Sequence, residues 1–160
     1  MAPPDRIPIR YEPEFHSWCI GRYDDGQFLG SVVSGYSDEY WAKVKRSGFS
    51  DDWPTHQRQY SVLHLFDHDG RHQLSDIWYA GSGRDEPIEK AFARLQERVD
   101  ALPGRKYGDI AIRPFRVDFD DQMFGLIDES EELGFDYVVL HPHQPQVAAT
   151  LHGSLTEELA

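Results

Sequence analysis

Tyr23-Asp24-Asp25-Gly26-Gln27-Phe28 and Phe66-Asp67-His68-Asp69-Gly70-Arg71 are two versions of one device, an acidic turn set between strand-like runs. Phe119-Asp120-Asp121-Gln122-Met123-Phe124 is a looser third. Asp-Gly supplies the positive φ that a tight hairpin requires, and an aromatic residue just outside the turn packs across the strand pair. The spacing therefore predicts three hairpins. Ser17 to Tyr23 pairs with Gln27 to Val33, Gln59 to Phe66 with His72 to Tyr79, and a long strand from Lys106 to Phe119 with Met123 to Asp128. The intervals are irregular and the intervening segments differ, so the copies share turn chemistry and are not a duplicated unit.

Working outward from the second hairpin, alternation puts Tyr60, Val62, His64 and Phe66 on one face and Ser61, Leu63 and Leu65 on the other. Both faces are partly apolar, which predicts a central strand. A helix is expected from Asp85 to Leu102, where Ile88, Ala91, Phe92, Leu95, Val99 and Leu102 recur at three- and four-residue spacing and Pro103-Gly104 ends the run. A shorter helix is expected between Asp38, as N-cap, and Gly48. Asp51-Asp52-Trp53-Pro54 reads as a turn, Ile7 and Ile9 as an edge strand or extended arm, and Tyr137 to Leu140 as a short buried strand. The fold class expected is α+β, an antiparallel meander of about six or seven strands packed against one main amphipathic helix. Residues 1–140 form one domain in this reading, and residues 141–160 a loosely ordered C-terminal tail in which Ser154 and Glu157 have capping-box spacing.

The chain has 160 residues, 39% hydrophobic and 13% aromatic, enough to bury a core without disulfides or a structural metal. Sixteen basic residues face 28 acidic ones, a formal net charge of -12, which disfavours nucleic acid and anionic membrane as partners and suits a basic protein surface. Cys19 is the only cysteine, and no run approaches the length of a membrane helix or resembles a secretory signal. A soluble, cytoplasmic protein is the expectation. No cofactor motif is present. Homo-oligomerisation through an unpaired edge strand stays open.

Candidate sites are few. His64, His68 and His72, with Asp67 and Asp69 beside them, carry nitrogen and carboxylate donors suited to a transition metal, although a hairpin places them on two arms and a tip. His141 and His143 form a separate His-x-His pair. Ala80-Gly81-Ser82-Gly83-Arg84 precedes a helix, yet lacks a full phosphate-binding signature and is followed by Asp85 and Glu86. Asp76, Asp109, Asp118, Asp128 and Glu129, with Arg113 and Arg116, read as surface ion pairs before they read as an acid/base couple. Cys19 sits between Trp18 and Ile20 as a small buried thiol. Trp41, Trp53, Trp78 and Tyr79 read mostly as core, with some expected in an exposed patch beside acidic residues, the composition of a protein-binding surface. The residues assigned to such a surface are Asp24, Asp25, Asp51, Asp52, Trp53, Asp128, Glu129, Glu131 and Glu132.

Tyr60-Ser61-Val62-Leu63-His64-Leu65-Phe66-Asp67, Ser75-Asp76-Ile77-Trp78-Tyr79-Ala80-Gly81 and the run from Leu102-Pro103-Gly104 to Arg113-Pro114-Phe115 resemble small bacterial proteins labelled formate hydrogenlyase regulatory protein. The resemblance spans roughly residues 5–128, and the tail departs from it. It implies a non-enzymatic regulator acting through protein contact and brings no defined functional residues. The function expected is thus that of a non-catalytic acidic protein that binds another protein, as a regulator or an immunity-like inhibitor. The alternative is a small metal-dependent hydrolase or ligand-binding protein using the His64–His72 turn.

Overall fold

The segment from Lys106 to Phe119, which reads as one long strand, is three short ones, and each belongs to a different sheet. In the computed structural model, which describes residues 5–14, 17–134, 137–142, 147–150 and 156–157, the elements run as follows. The first part holds β1 (Ile7–Ile9), β2 (Ile20–Tyr23), β3 (Gly26–Gly35), α1 (Asp38–Ser47), α2 (Trp53–His56), β4 (Arg58–Phe66), β5 (His72–Ser82) and α3 (Asp85–Asp100). The second holds β6 (Lys106–Tyr107), β7 (Ile110–Ile112), β8 (Phe115–Phe119), β9 (Gln122–Asp128), α4 (Ser130–Leu133), β10 (Tyr137–His141), β11 (Val147–Thr150) and β12 (Thr156–Glu157).

These strands form a five-stranded sheet in the order β5-β4-β3-β2-β6, a second five-stranded sheet in the order β12-β11-β10-β9-β8, and a two-stranded ribbon of β1 and β7. All pairings are antiparallel. The class is α+β with antiparallel sheets, but the strands are shared among three sheets where a single meander was expected. Pro114 explains one of the breaks: it has no N–H for a ladder and it restricts the residue before it, so β7 ends at Ile112 and a new strand starts at Phe115.

The first sheet is covered on both faces. On one lies α3, the longest helix, which buries Ala91, Leu95 and Val99 and joins Cys19, Phe28 and Leu63 in one cluster. On the other, Leu29 and Phe66 meet Leu126, Val138 and Leu140 of the second sheet, together with the ribbon isoleucines. In that ribbon Ile7 pairs with Ile112 and Ile9 with Ile110, so the proline-rich opening sends its two isoleucines into the main core. A third cluster joins Val33, Tyr60, Val62 and Phe124. The alternation read along β4 holds, with the even-numbered set facing the second sheet and Leu63 facing α3.

The hairpin turns differ from one another. Gly70 has φ +87, as the Asp-Gly reading requires. In the first turn the two connecting residues are Asp24 and Asp25, and Gly26 is already paired with Tyr23. Its glycine serves a different purpose, because a Cβ there would overlap the Phe66 carbonyl of β4. The third turn carries the left-handed backbone on Asp120 (φ 55) and Asp121 (φ 61), the two-residue geometry that suits the twist of a hairpin.

Helix α1 is capped by Ser37, whose hydroxyl accepts from the Tyr40 N–H at 3.1 Å, and not by Asp38, which lies in the first turn. Gly48 ends it with φ 79. Trp53 and Pro54, read as part of a turn, open the four-residue α2. Of the expected tail, Val147–Thr150 pairs with β10 and Thr156–Glu157 with β11. Ser154, and with it the expected capping box, lies outside the described residues.

Candidate protein-binding surface

Beyond Gly35 the chain leaves the first sheet and does not return until Arg58, and this excursion carries five large aromatic residues: Tyr36, Tyr40, Trp41, Phe49 and Trp53. Their rings form one contiguous group. Tyr36 is at the centre, stacked on Tyr40 at 5.3 Å and on Trp41 at 6.2 Å, and tilted against Phe49 at 5.8 Å. Phe49 touches Trp41 and, edge-on, Trp53 at 6.2 Å. Trp41 remains 42% exposed and Phe49 55%. Lys45 sits over the Trp41 ring and Arg84 over Trp53, so the patch has a cation at either flank.

Local polar bonds hold these rings in place. Tyr40 is buried and stacks on His56 at 4.2 Å, while its hydroxyl meets Ser50 Oγ at 2.9 Å. Ser50 Oγ in turn donates to Asp52 Oδ1 at 2.6 Å, and the other oxygen of Asp52 pairs with His56 Nε2 at 3.1 Å. The bonds from Ser50 and His56 hold the Asp52 carboxyl below its ordinary range. The result is a closed ring of side chains under the loop that presents Phe49 and Trp53, which fixes exposed aromatics in advance of any contact.

Two cavities open on this patch and share Tyr36. One, about 200 Å³, is walled by Tyr36, Phe49 and Trp53. The other, about 390 Å³, runs from Gly35 and Tyr36 past Trp41 to Gln122 of the second sheet and to Pro142, just past β10. Gln122 donates its side-chain N–H to the Tyr36 carbonyl, so the patch is anchored to both sheets.

The residues assigned to a binding surface from sequence do not form one surface. Asp51, Asp52 and Trp53 belong to the aromatic patch. Asp24 and Asp25 sit at the start of β3, at the far end of a ten-residue strand from Tyr36, a span of about 33 Å. Asp128 and Glu129 have internal tasks: Asp128 Oδ1 accepts from the Ser130 N–H at 2.9 Å, and Glu129 Oε1 meets His141 Nε2 at 2.5 Å. Glu131 and Glu132 are exposed on the short α4. Tyr36 and Phe49, which complete the patch, were not singled out from sequence, although the clustering of five aromatics between positions 36 and 53 is visible there.

The three histidines of the second hairpin separate. His64 is buried on the face toward the second sheet, and its Nδ1 lies 2.6 Å from Ser75 Oγ; His72 Nε2 lies 2.7 Å from the same hydroxyl. Phe115 stacks on His72 at 4.7 Å and meets His64 edge-on. His68 points elsewhere, its Nε2 at 3.1 Å from the Asp24 carbonyl, and Asp67 spends its carboxylate on the N–H groups of Asp69 and Arg71 within the turn. Two imidazoles and a hydroxyl converge, not three metal donors, and among the described residues no group of three or more His, Cys, Asp or Glu stands close enough to hold a metal. Burial lowers the His64 pKa to about 3, with His72 adding to the effect, and lowers that of His72 as well.

The remaining candidates resolve as structural groups. Asp76 binds Arg94 at 3.3 Å and Arg98 at 2.8 Å from α3, Arg116 pairs with Asp118 on the surface, and Asp109 accepts from the Tyr11 N–H. Cys19 is buried, which pushes its thiol up to about 12. Among the described residues no helix is long and apolar enough to cross a membrane. Comparison of the chain with protein-family models, with curated proteins and with solved structures found no significant match.

Proposed function

We propose that this chain is a non-catalytic, acidic α+β protein that binds another protein, as a regulator or an immunity-like inhibitor, through the aromatic patch of α1 and α2. The observation that carries this reading is the group of Tyr36, Trp41, Phe49 and Trp53, exposed in part yet locked by the Tyr40–Ser50–Asp52–His56 bonds. Rigid, exposed Trp, Tyr and Phe are the side chains that dominate protein interfaces, because they bury a large area while losing little conformational freedom. The net charge of -12 favours a basic partner and fast, salt-sensitive encounter. The resemblance to formate hydrogenlyase regulatory proteins supports the same regulatory class.

The test is affinity capture from native lysate with the tagged chain at low and moderate salt, repeated with Phe49→Ala and Trp41→Ala. A stoichiometric protein held by the native chain, weakened by salt and lost from both variants while their folding is unchanged, is the expected result. Retention by both variants would move the contact away from this patch, and capture of no protein at either salt would remove the protein-binding reading itself.

A further inference from the structure

Strand β5 is the outer strand of its sheet, paired with β4 on one side and with no described strand on the other. None of its eleven residues is fully buried, whereas β4 beside it is buried along most of its length. An open edge displays a row of unpaired N–H and C=O groups that fits another strand, and proteins that keep such edges free guard them with lysine, proline, short length or a covering element. The sequence of β5 has neither lysine nor proline. Its single carboxylate, Asp76, is bound by Arg94 and Arg98 of its own protomer. Leu74 is 57% exposed and Tyr79 43%.

The register with β4 marks off which part of this edge is regular. Leu65 pairs with Leu74 but Phe66 with His72, and Tyr60 pairs with Tyr79 but Gln59 with Gly81. Gln73 and Ala80 are thus the extra residues of two bulges, and Leu74 to Tyr79 is the unbroken run between them.

We propose that a second copy of this chain pairs antiparallel along β5, about a two-fold axis at Ile77, joining the two five-stranded sheets edge to edge. A two-fold axis normal to the sheet keeps its faces, so residues of like parity must oppose. Centring on Asp76 would set two carboxylates opposite each other. Centring on Ile77 sets Ser75 opposite Tyr79 of the second copy, a small residue against a large one, and brings Leu74 up to Ala80, the small bulge residue at the end of the regular run. It also sets Asp76 opposite Trp78, where Arg94 already lies over the ring at 5.5 Å. The strand supplies both halves of every match, which a foreign strand would do only by coincidence. With one carboxylate and two guanidiniums the seam is not acidic, but the two bodies, each at -12, repel at longer range. Salt screens that repulsion and strengthens the pairing, the opposite of its effect on a basic partner.

Sedimentation equilibrium of the full chain across protein concentration, at low and at high salt, tests the proposal together with amide hydrogen exchange. The expected result is a monomer–dimer equilibrium that tightens with salt, with every amide from Leu74 to Ala80 protected in the dimer. The double variant Leu74→Lys, Ala80→Lys is expected to weaken the association at least about tenfold, lysine being the natural guard of an edge. A monomer at all concentrations, with alternate amides between Leu74 and Ala80 exchanging freely, overturns the proposal without any variant. So does a dimer in which those amides stay unprotected or which the lysines leave intact.

Discussion

Gln27 treats Ala111 as a neighbouring strand would: its side-chain Nε2 donates to the Ala111 carbonyl at 3.0 Å while its Oε1 accepts from the Ala111 N–H at 2.8 Å. The reciprocal pair closes the side of β7 that β1 leaves open, and the same Nε2 reaches the Asp67 carbonyl at 3.2 Å. One fully buried amide therefore ties the first hairpin, the second turn and the ribbon together.

Replacing Gln27 with Leu keeps approximate volume but strands the half-buried Ala111 N–H and the carbonyls it served. A loss of about 3 kcal/mol is expected from unpaired buried groups. Gln27→Glu keeps an acceptor for Ala111 and loses the donor, so it should also destabilise, increasingly as the carboxylate ionises. Urea unfolding of the two variants, with the slope unchanged, is the measurement; native-like midpoints for both would show that the reciprocal pair is not what binds the ribbon.

Much of this architecture was legible because it is periodic. The spacing of Ala91, Leu95 and Val99 fixes a helix whose buried stripe is the one observed, and alternation along β4 assigns each residue to its face. What escaped is contact between segments far apart in sequence. Nothing local distinguishes Gln27 from an exposed glutamine, since its partner lies 84 positions away. The run from Lys106 to Phe119 has strand character throughout, and only its neighbours reveal that β6, β7 and β8 serve three sheets. For the candidate surface, the aromatics were visible but their grouping was not, because Tyr36 and Phe49 lie just past a strand and a helix, where periodicity says nothing.

Stability should depend on pH through His64. Its native pKa of about 3 lies below the ordinary value of 6.5, so between these the unfolded chain binds a proton that the native chain refuses. Stability is therefore full above the unfolded value and falls as pH drops through that window, by about 1.4 kcal/mol per pH unit for one such group. His72, shifted the same way by burial, adds to the fall. His64→Leu leaves Ser75 bonded to His72 and should flatten the dependence of unfolding free energy between about pH 3.5 and 6 relative to the native chain. Equal slopes for the two proteins would mean that other groups govern the acid limb.

Under α3, the first sheet leaves no room for a side chain at Gly30. A Cβ there would stand 2.7 Å from Cys19 Sγ and 2.9 Å from Leu95 Cδ1, two side chains that are themselves buried. Gly30→Ala is expected to destabilise by about 1–3 kcal/mol through overpacking. Adding Cys19→Ala should recover part of that loss by freeing the space of the sulfur, a coupling that a double-mutant cycle detects. In the native chain Cys19 should resist thiol reagents until unfolding, since burial holds it protonated.

The β8–β9 turn stores strain on aspartates. Asp120 and Asp121 both occupy left-handed backbone, a conformation that disfavours a side chain by about 1–2 kcal/mol for most residues and less for Asp. Asp120 has a compensating role, because its carboxylate accepts from the Tyr60 hydroxyl at 2.8 Å and lies 3.6 Å from Arg58. Substitution there exchanges backbone relief for a lost contact to the third cluster. Asp121 is exposed, so Asp121→Gly should raise stability by about 0.5–1 kcal/mol, and Asp121→Val should lower it by a similar or larger amount because β-branching clashes in this region. Thermal unfolding of the pair against the native chain reads both signs. If Gly and Val move the midpoint in the same direction, backbone strain at Asp121 is not what limits this hairpin.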